Sequence, residues 1–299
     1  MTALATRLSR VARTASLCTL LALPAFAHAE TVNLRPKFEK GAEATYNLAL
    51  TADNTFNMGA STEAQKQHVE QDIGLKLVVK EVDAEKGATV DLVYESIKFK
   101  SEGGMFAAEF DSAQPADKDA ANPLAGAFRP LIGTTFTLTI DKNGNVTEVA
   151  GGEALAGGVA GQMLQGYVTK GGVGSLLGPI FSTRQATGEA KVGETWTYED
   201  IMPGSMLGEM KMTSTHTLKS TDGNLATVDM NGKLELKNSP AGPKIEMKEG
   251  TYDGNYVWDT QAGMLKSLKT TQVATMEGDL GNGPMTVKSN ATTIITRTK

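Results

Sequence analysis

Cysteine is nearly absent from this chain. Its 299 residues contain one, Cys18, and three histidines, His28, His68 and His216. With a single thiol there is no intrachain disulfide framework, and a small disulfide-stapled fold is excluded. A zinc centre needs three or four clustered His, Cys or carboxylate ligands, and two isolated histidines beyond the N-terminal segment do not supply them. His68, in "QKQHVEQ", and His216, in "TSTHTLK", read as strand residues. The Gly-x-Ser-x-Gly elbow of serine hydrolases is missing. The glycine-rich stretches "GEALAGGVAG" and "GGVGSLLG" lack the Lys-Ser/Thr of a phosphate-binding loop. No cofactor, metal or catalytic constellation is expected, and a non-catalytic protein is the reading.

Long apolar runs are scarce too. The first 29 residues carry Arg7, Arg10 and Arg13 without an acid, then the short apolar stretch "TASLCTLLALPAFA", then Ala27-His28-Ala29. That is the layout of a secretory signal peptide with small residues at the cleavage site. Pro24 interrupts the run, which is too short to span a bilayer. Leu17 precedes Cys18 where a lipidated cysteine wants a small residue, so Cys18 is read as part of the removed segment. Cleavage leaves no transmembrane segment, and an exported protein, periplasmic or extracellular in a bacterium, is expected. Loss of three arginines lowers Lys+Arg from 29 to 26 against 34 acidic residues, a formal charge of −8. Nonspecific nucleic-acid binding needs the opposite sign.

What is abundant is strand. "TTFTLTI" (134–140) alternates Phe136, Leu138 and Ile140 with threonines, the period-two pattern of a half-buried strand. Asn143-Gly144 in "DKNGNVTEV" is a hairpin turn signal. The same segment starts like a calcium loop, but Val146 stands where glycine is required and Gly152 where the bidentate glutamate should be. Further Thr/Val-rich runs, cut by Gly, Asp or Asn, fill most of the chain and imply an antiparallel sheet. Two stretches depart from the pattern. Residues 113–133, rich in Ala and Pro, are expected to loop out, with Asn122-Pro123 capping a short helix that carries Leu124 and Phe128 and ends at Pro130. Residues 154–183 contain one charge, Lys170. There Leu155, Val159, Met163 and Tyr167 fall four apart beside Leu164, the stripe of a helix buried on much of its surface. Gly171-Gly172 is expected to end it, and "SLLGPIF", with Leu176 and Leu177, forms a second apolar piece stopped at Pro179.

The chain also repeats itself. "KGAEATY" at 40–46 is echoed by "VGETWTY" at 192–198, "ATVD" at 88–91 by "ATVD" at 226–229, and "TFTLTIDKNGNV" by "GNYVWDTQAGML" at 254–265. The order is the same in both halves. Four parts follow: a signal peptide (1–29), a first β half (30–150), a helical glycine-rich connector (151–185) and a second β half (186–299). Two such halves can join edge to edge into one strongly curved antiparallel sheet, a half-barrel with the helical segment near 152–181 on its concave side. A two-sheet β-sandwich is the alternative.

The opening "LRPKFEKGAEATY" (34–46) and the mid-chain "VGETW" (192–196) resemble a family of uncharacterised exported bacterial proteins. That resemblance implies no assigned activity. At the level of fold alone, a duplicated curved sheet with an apolar plug is similar to the half-barrel carriers of lipids and lipoproteins in the bacterial envelope, and fold alone does not imply function. The aromatics Trp196, Tyr198, Tyr252, Tyr256 and Trp258 lie in the second half, and thirteen methionines add adaptable apolar surface. An apolar ligand is therefore expected against Leu155, Val159, Met163, Leu164, Tyr167, Leu176, Leu177, Trp196 and Trp258. An envelope protein partner, met by a structural or interaction module, is the alternative.

Overall fold

The computed structural model describes residues 31–59, 63–104, 107–122, 124–155, 157–202, 208–238, 244–279 and 283–299. Residues 1–29, read above as a signal peptide, and Cys18 within them lie outside the described residues. The strands are β1 (Thr31–Asn33), β2 (Glu43–Met58), β3 (Gln65–Asp83), β4 (Gly87–Gly103), β5 (Ala108–Asp111), β6 (Thr135–Ile140) and β7 (Val146–Ala150) in the first half. The second half holds β8 (Glu189–Lys191), β9 (Thr195–Met202), β10 (Gly208–Asp222), β11 (Leu225–Asn238), β12 (Ile245–Asp259), β13 (Met264–Asp279) and β14 (Pro284–Arg297). Three α-helices, α1 (Ala125–Phe128), α2 (Gly158–Val168) and α3 (Lys170–Phe181), complete the set with short 3-10 turns. No described helix is long and apolar enough to cross a membrane.

One antiparallel sheet runs β7-β6-β4-β3-β2-β14-β13-β12-β11-β10-β9, with β5 pairing β4 at the side, while β1 and β8 pair separately. This is the edge-to-edge joining of two halves rather than the sandwich, and the seam is β2 against β14. Among the described residues β7 and β9 do not pair, so the sheet stays open. Its curvature follows from two contacts. Eleven strands laid flat would set the edges about 48 Å apart. Yet Thr183 accepts a hydrogen bond from the Trp196 indole on β9 (3.2 Å), while a Cβ on Gly144, in the β6–β7 turn, would lie 2.0 Å from the Phe181 carbonyl oxygen. A segment from 181 to 183, under about 11 Å of chain, thus reaches both edges. The sheet curls around it. Gly254 shows the same crowding locally, since a Cβ there would meet the Lys269 carbonyl oxygen at 2.2 Å.

The repeat is legible bond by bond. Gly41 N–H donates to the Val79 carbonyl (2.8 Å) and Val79 N–H to that of Ala42 (2.9 Å); Gly193 donates to Leu218 (2.7 Å) and Leu218 to Glu194 (3.0 Å). A bulge follows in each copy, between Val79 and Glu81 and between Leu218 and Ser220. The extra residues, Lys80 and Lys219, reach Asp91 (3.5 Å) and Asp229 (3.3 Å), the last residues of the two "ATVD" segments. Both pairs reach solvent through their lysines and contribute at most about 1 kcal/mol. They mark register more than they hold it. The turns match as well: Asp141 Oδ1 accepts from Asn143 N–H (2.8 Å), and Asp259 Oδ1 from Gln261 N–H (3.1 Å). Asp141 also accepts the backbone and side-chain N–H of Asn145 (both 2.9 Å), so its carboxylate is spent on the hairpin that resembled a calcium loop. The unit is therefore five strands, β2-β3-β4-β6-β7 against β9-β10-β11-β12-β13, with β14 added to close the seam.

Two expectations are corrected. Segment 113–133 does not loop out. Asn122 Oδ1 does cap the Leu124 N–H (3.0 Å), but Leu124, Phe128 and Leu131 are buried in the main core, and Pro130 lies inside a 3-10 turn. Arg129 holds the outer part of the segment down, bonding Asp119 (2.6 and 2.9 Å) and the Ser112 carbonyl (2.7 Å). The helical connector breaks at Thr169, not at Gly171-Gly172, and α3 runs through Pro179. Thr169 leaves the helical conformation and its hydroxyl accepts the Gly172 N–H (3.2 Å), an N-cap for α3. Gly172 is needed inside α3 because a Cβ there would stand 2.3 Å from the Gln165 carbonyl oxygen of α2.

Candidate functional site

Register carries one row of side chains across the concave face of the second half and over the seam. Paired residues in order are Trp196, His216, Met230, Gly254, Thr270, Thr293, Leu50 and Gln71. Helices α2 and α3 lie over this row. Between them and the sheet is a cavity of about 520 Å³. Its sheet wall is apolar at Leu48, Ile73, Met212, Met230, Leu268 and Ile295. Its helical wall comes from Met163, Gly166 and Tyr167 on α2 and from Gly172, Ser175, Leu176 and Pro179 on α3. The α3 positions are spaced three, four and seven apart, so they form one face of the helix. Three of the four are small or cyclic, which leaves room under the helix. The other α3 face, Val173, Leu177, Ile180 and Phe181, is fully buried in the core.

Tyr167 fixes the lid. Its hydroxyl is hydrogen-bonded by the Gln71 amide of β3, and its carbonyl accepts the Tyr94 hydroxyl (2.8 Å). Its ring meets those of Phe128 (5.7 Å) and Tyr94 (6.1 Å) edge-on. Burial pushes the Tyr167 phenol up, and the Gln71 bond offsets part of that.

One end of the cavity is polar. Arg184 sits with φ 60°, in the left-handed region that a non-glycine residue occupies at a cost of about 1–3 kcal/mol. The chain there is held by its neighbours. Thr183 O accepts from Trp196 (3.2 Å) and the Tyr256 hydroxyl (3.3 Å), and Arg184 N–H donates to Ser182 Oγ (3.1 Å). The Arg184 guanidinium pairs with Asp200 (3.0 Å) and lies over the Tyr198 ring, 4.2 Å from its centroid. Beside it His216, 4% exposed, shares a hydrogen bond with Ser214 Oγ (2.9 Å) and stacks on Trp196 at 5.6 Å. Desolvation, helped by the Arg184 charge, lowers the imidazole from 6.5 to about 4. The ring is therefore neutral at pH 7. Ser214 and His216 stand at nucleophile–base distance. However, the His216 Nδ1 is buried without a partner among the described residues, so no third group orients the ring. The imidazole and Ser214 line the polar end of the cavity. The described residues contain no group of three or more His, Cys, Asp or Glu that could hold a metal ion.

Of the residues expected at a ligand, Met163, Tyr167 and Leu176 line the cavity. Leu164, Leu177 and Trp258 are buried in the core instead, and Leu155 packs against it half-buried. Trp196 backs the cavity through His216 rather than facing it. The Val159 side chain lies outside the described residues. Sequence reasoning missed Arg184, Asp200, Ser214 and the cavity role of His216. Two signals were available: Arg184 is the first charge after Lys170, and Ser214 and His216 are two apart on a strand and so share a face.

Comparison with curated proteins finds no match. Among solved structures, DynF from the dynemicin biosynthesis pathway of Micromonospora chersina is similar at 10% identity over 96% of this chain and 92% of that one. The TM-score is 0.21, too low to carry anything from that protein to this one. Residues 85–173 and 186–265 match a family of unknown function, DUF6263. These segments, one on each side of the connector's end, make up more than half of the 299 residues, and the chain belongs to this DUF6263 family.

Proposed function

We propose that the protein is an exported, non-catalytic binding protein of the bacterial envelope that holds an apolar ligand between its concave sheet and the α2–α3 lid. The observation that carries this reading is the cavity of about 520 Å³. That volume lies within the roughly 300–1,000 Å³ of small-molecule sites. Leu, Ile and Met side chains from both halves and both helices supply much of its apolar wall. Methionines at Met163, Met212 and Met230 suit a flexible hydrocarbon, because an unbranched thioether reshapes at little cost. Export is supported by the basic, apolar and small-residue order of positions 1–29. N-terminal sequencing of the protein recovered from a periplasmic fraction is expected to start at Glu30; an uncleaved chain retained in the cytoplasm counts against export.

Binding is tested with a neutral fluorescent probe, N-phenyl-1-naphthylamine. Saturable uptake at about one probe per chain is expected. Ala291→Phe, which fills the cavity from β14, is expected to weaken it at least tenfold with the fold retained by circular dichroism. Absence of saturable uptake, or uptake indifferent to Ala291→Phe, removes the cavity as the site and favours an interaction module.

A further inference from the structure

Resting on the binding reading above, we infer that the ligand carries a single carboxylate and that Arg184 holds it, the hydrocarbon part lying against Met212, Met230, Leu268 and Ile295. Arg184 is the cation that lines the cavity. Its side chain is 15% exposed, so the guanidinium is largely removed from bulk water. A guanidinium presents five N–H donors. Among the described residues, Arg184 gives one side-chain hydrogen bond, from Nη1 to Asp200. Tyr198 covers one face of the group. Nε and Nη2 are left over, and a buried cation with unused donors is costly unless something else satisfies them. A carboxylate matches that donor fork in shape and charge.

The group is also held in place. Its backbone is constrained by Ser182, Thr183, Trp196 and Tyr256 as described, and Gly178 of α3 leaves space for Nη2, which would otherwise face a Cβ at 3.0 Å. Segment 182–184 borders a second cavity of about 780 Å³ on its other side, lined by Arg35, Lys142, Asn143 and Asn145. The wall of that second space mixes these polar side chains with Leu34, Phe38 and Val82, so the head-group position rests on Arg184 at the polar end of the apolar cavity. A cationic head is disfavoured there, since Asp200 is already neutralised by Arg184.

The full chain is titrated at pH 8 with dodecanoate, 1-dodecanol and dodecylamine, each displacing the neutral naphthylamine probe. Dodecanoate is expected to bind at least tenfold more tightly than the alcohol and the amine. Arg184→Gln is expected to erase that preference, so that acid and alcohol bind the variant alike. Asp200→Asn, which frees the guanidinium, is expected to keep or increase it. Equal binding of acid and alcohol by the wild-type chain, or a preference for the amine, overturns the carboxylate assignment alone. Failure of the probe itself to bind overturns the underlying cavity reading. Should Arg184→Gln fail to fold, the wild-type ligand series and Asp200→Asn decide the matter.

Discussion

Alanine at Gly144 or at Gly263 is expected to cost about 2–5 kcal/mol of unfolding free energy, against about 1–2 kcal/mol at Gly41 or Gly193. All four glycines have positive φ, between 61° and 89°, so all four substitutions carry the left-handed strain of an L-residue. They differ in surroundings. A Cβ on Gly41 or Gly193 meets nothing within 4 Å. On Gly144 it would lie 2.0 Å from the Phe181 carbonyl oxygen, and on Gly263 2.3 Å from the Lys37 backbone nitrogen. Both obstacles are backbone, which cannot swing aside as a side chain can. The two sites are counterparts in the duplication, and the contacts are exchanged: the segment leading into the second half rests on the turn of the first, and the segment leading into the first half rests on the turn of the second. Phe38 and Phe181, one from each lead-in, also meet at 6.2 Å. Urea unfolding of the four variants at pH 7 checks this. Equal losses at all four positions would mean that the lead-ins do not press on these turns. Gly144→Ala carries a further expectation, because the displaced segment continues into Arg184: the preference for dodecanoate should shrink with the stability.

Much of this architecture was legible because duplication writes the same local chemistry twice. "ATVD" recurs because each copy buries its Ala and Val, Ala88 and Val90 or Ala226 and Val228, and sets its aspartate opposite a bulged lysine, and the Gly-to-Tyr spacing recurs because each copy enters its first strand through the same pair of backbone bonds. The alternation in "TTFTLTI" showed which residues of β6 are buried, and Phe136, Leu138 and Ile140 are. What escaped depended on partners far away in the chain. Segment 113–133, rich in Ala and Pro, read as a protruding loop, but three apolar residues and one arginine sufficed to dock it against β4 and β5. The connector's break was misplaced because glycine pairs are good helix stops in isolation, whereas here close approach of α2 and α3 demands a glycine inside the second helix. The stripe from Leu155 to Tyr167 marked α2 but overstated its burial, since Leu155 falls in the 3-10 turn before that helix and Met163 is 43% exposed. It did not say which side met a void, since a core face and a cavity face are equally apolar. The difference lies in side-chain size: Gly172, Ser175 and Pro179 leave space, and Leu177 and Phe181 fill it. Trp258 stands apart from the cavity for a related reason. It shares a face with Tyr256 but sits one row deeper, where the core is closed.

Acid should weaken the fold through His216, by about 3 kcal/mol between pH 7 and pH 4 relative to a His216→Phe variant. The folded imidazole titrates at about 4, below the 6.5 of an exposed histidine. Between those values the unfolded chain binds a proton that the folded chain refuses. Stability from this residue is thus complete above pH 6.5 and drains away as pH falls towards 4. Among the groups facing the ring, Arg184 opposes a second positive charge and Ser214 is neutral, whereas the aromatic rings of Trp196 and Tyr256 favour a cation and offset part of the desolvation that sets the sign. His68 acts oppositely, since its bonds to Asp53 and Glu70 raise its pKa, so that its contribution is present at low pH and lost as pH rises. It is common to both proteins and cancels in the comparison, as do the carboxylates. At pH 7 the variant is expected to be about 1 kcal/mol the less stable, because Ser214 loses its hydrogen-bond partner. At pH 4 it should be the more stable by about 2 kcal/mol, so the two stability curves cross. Urea unfolding at pH 7, 5.5 and 4 reads this directly. Parallel curves would mean that His216 reaches solvent in the folded protein, and that the polar end of the cavity is wetter than its burial implies.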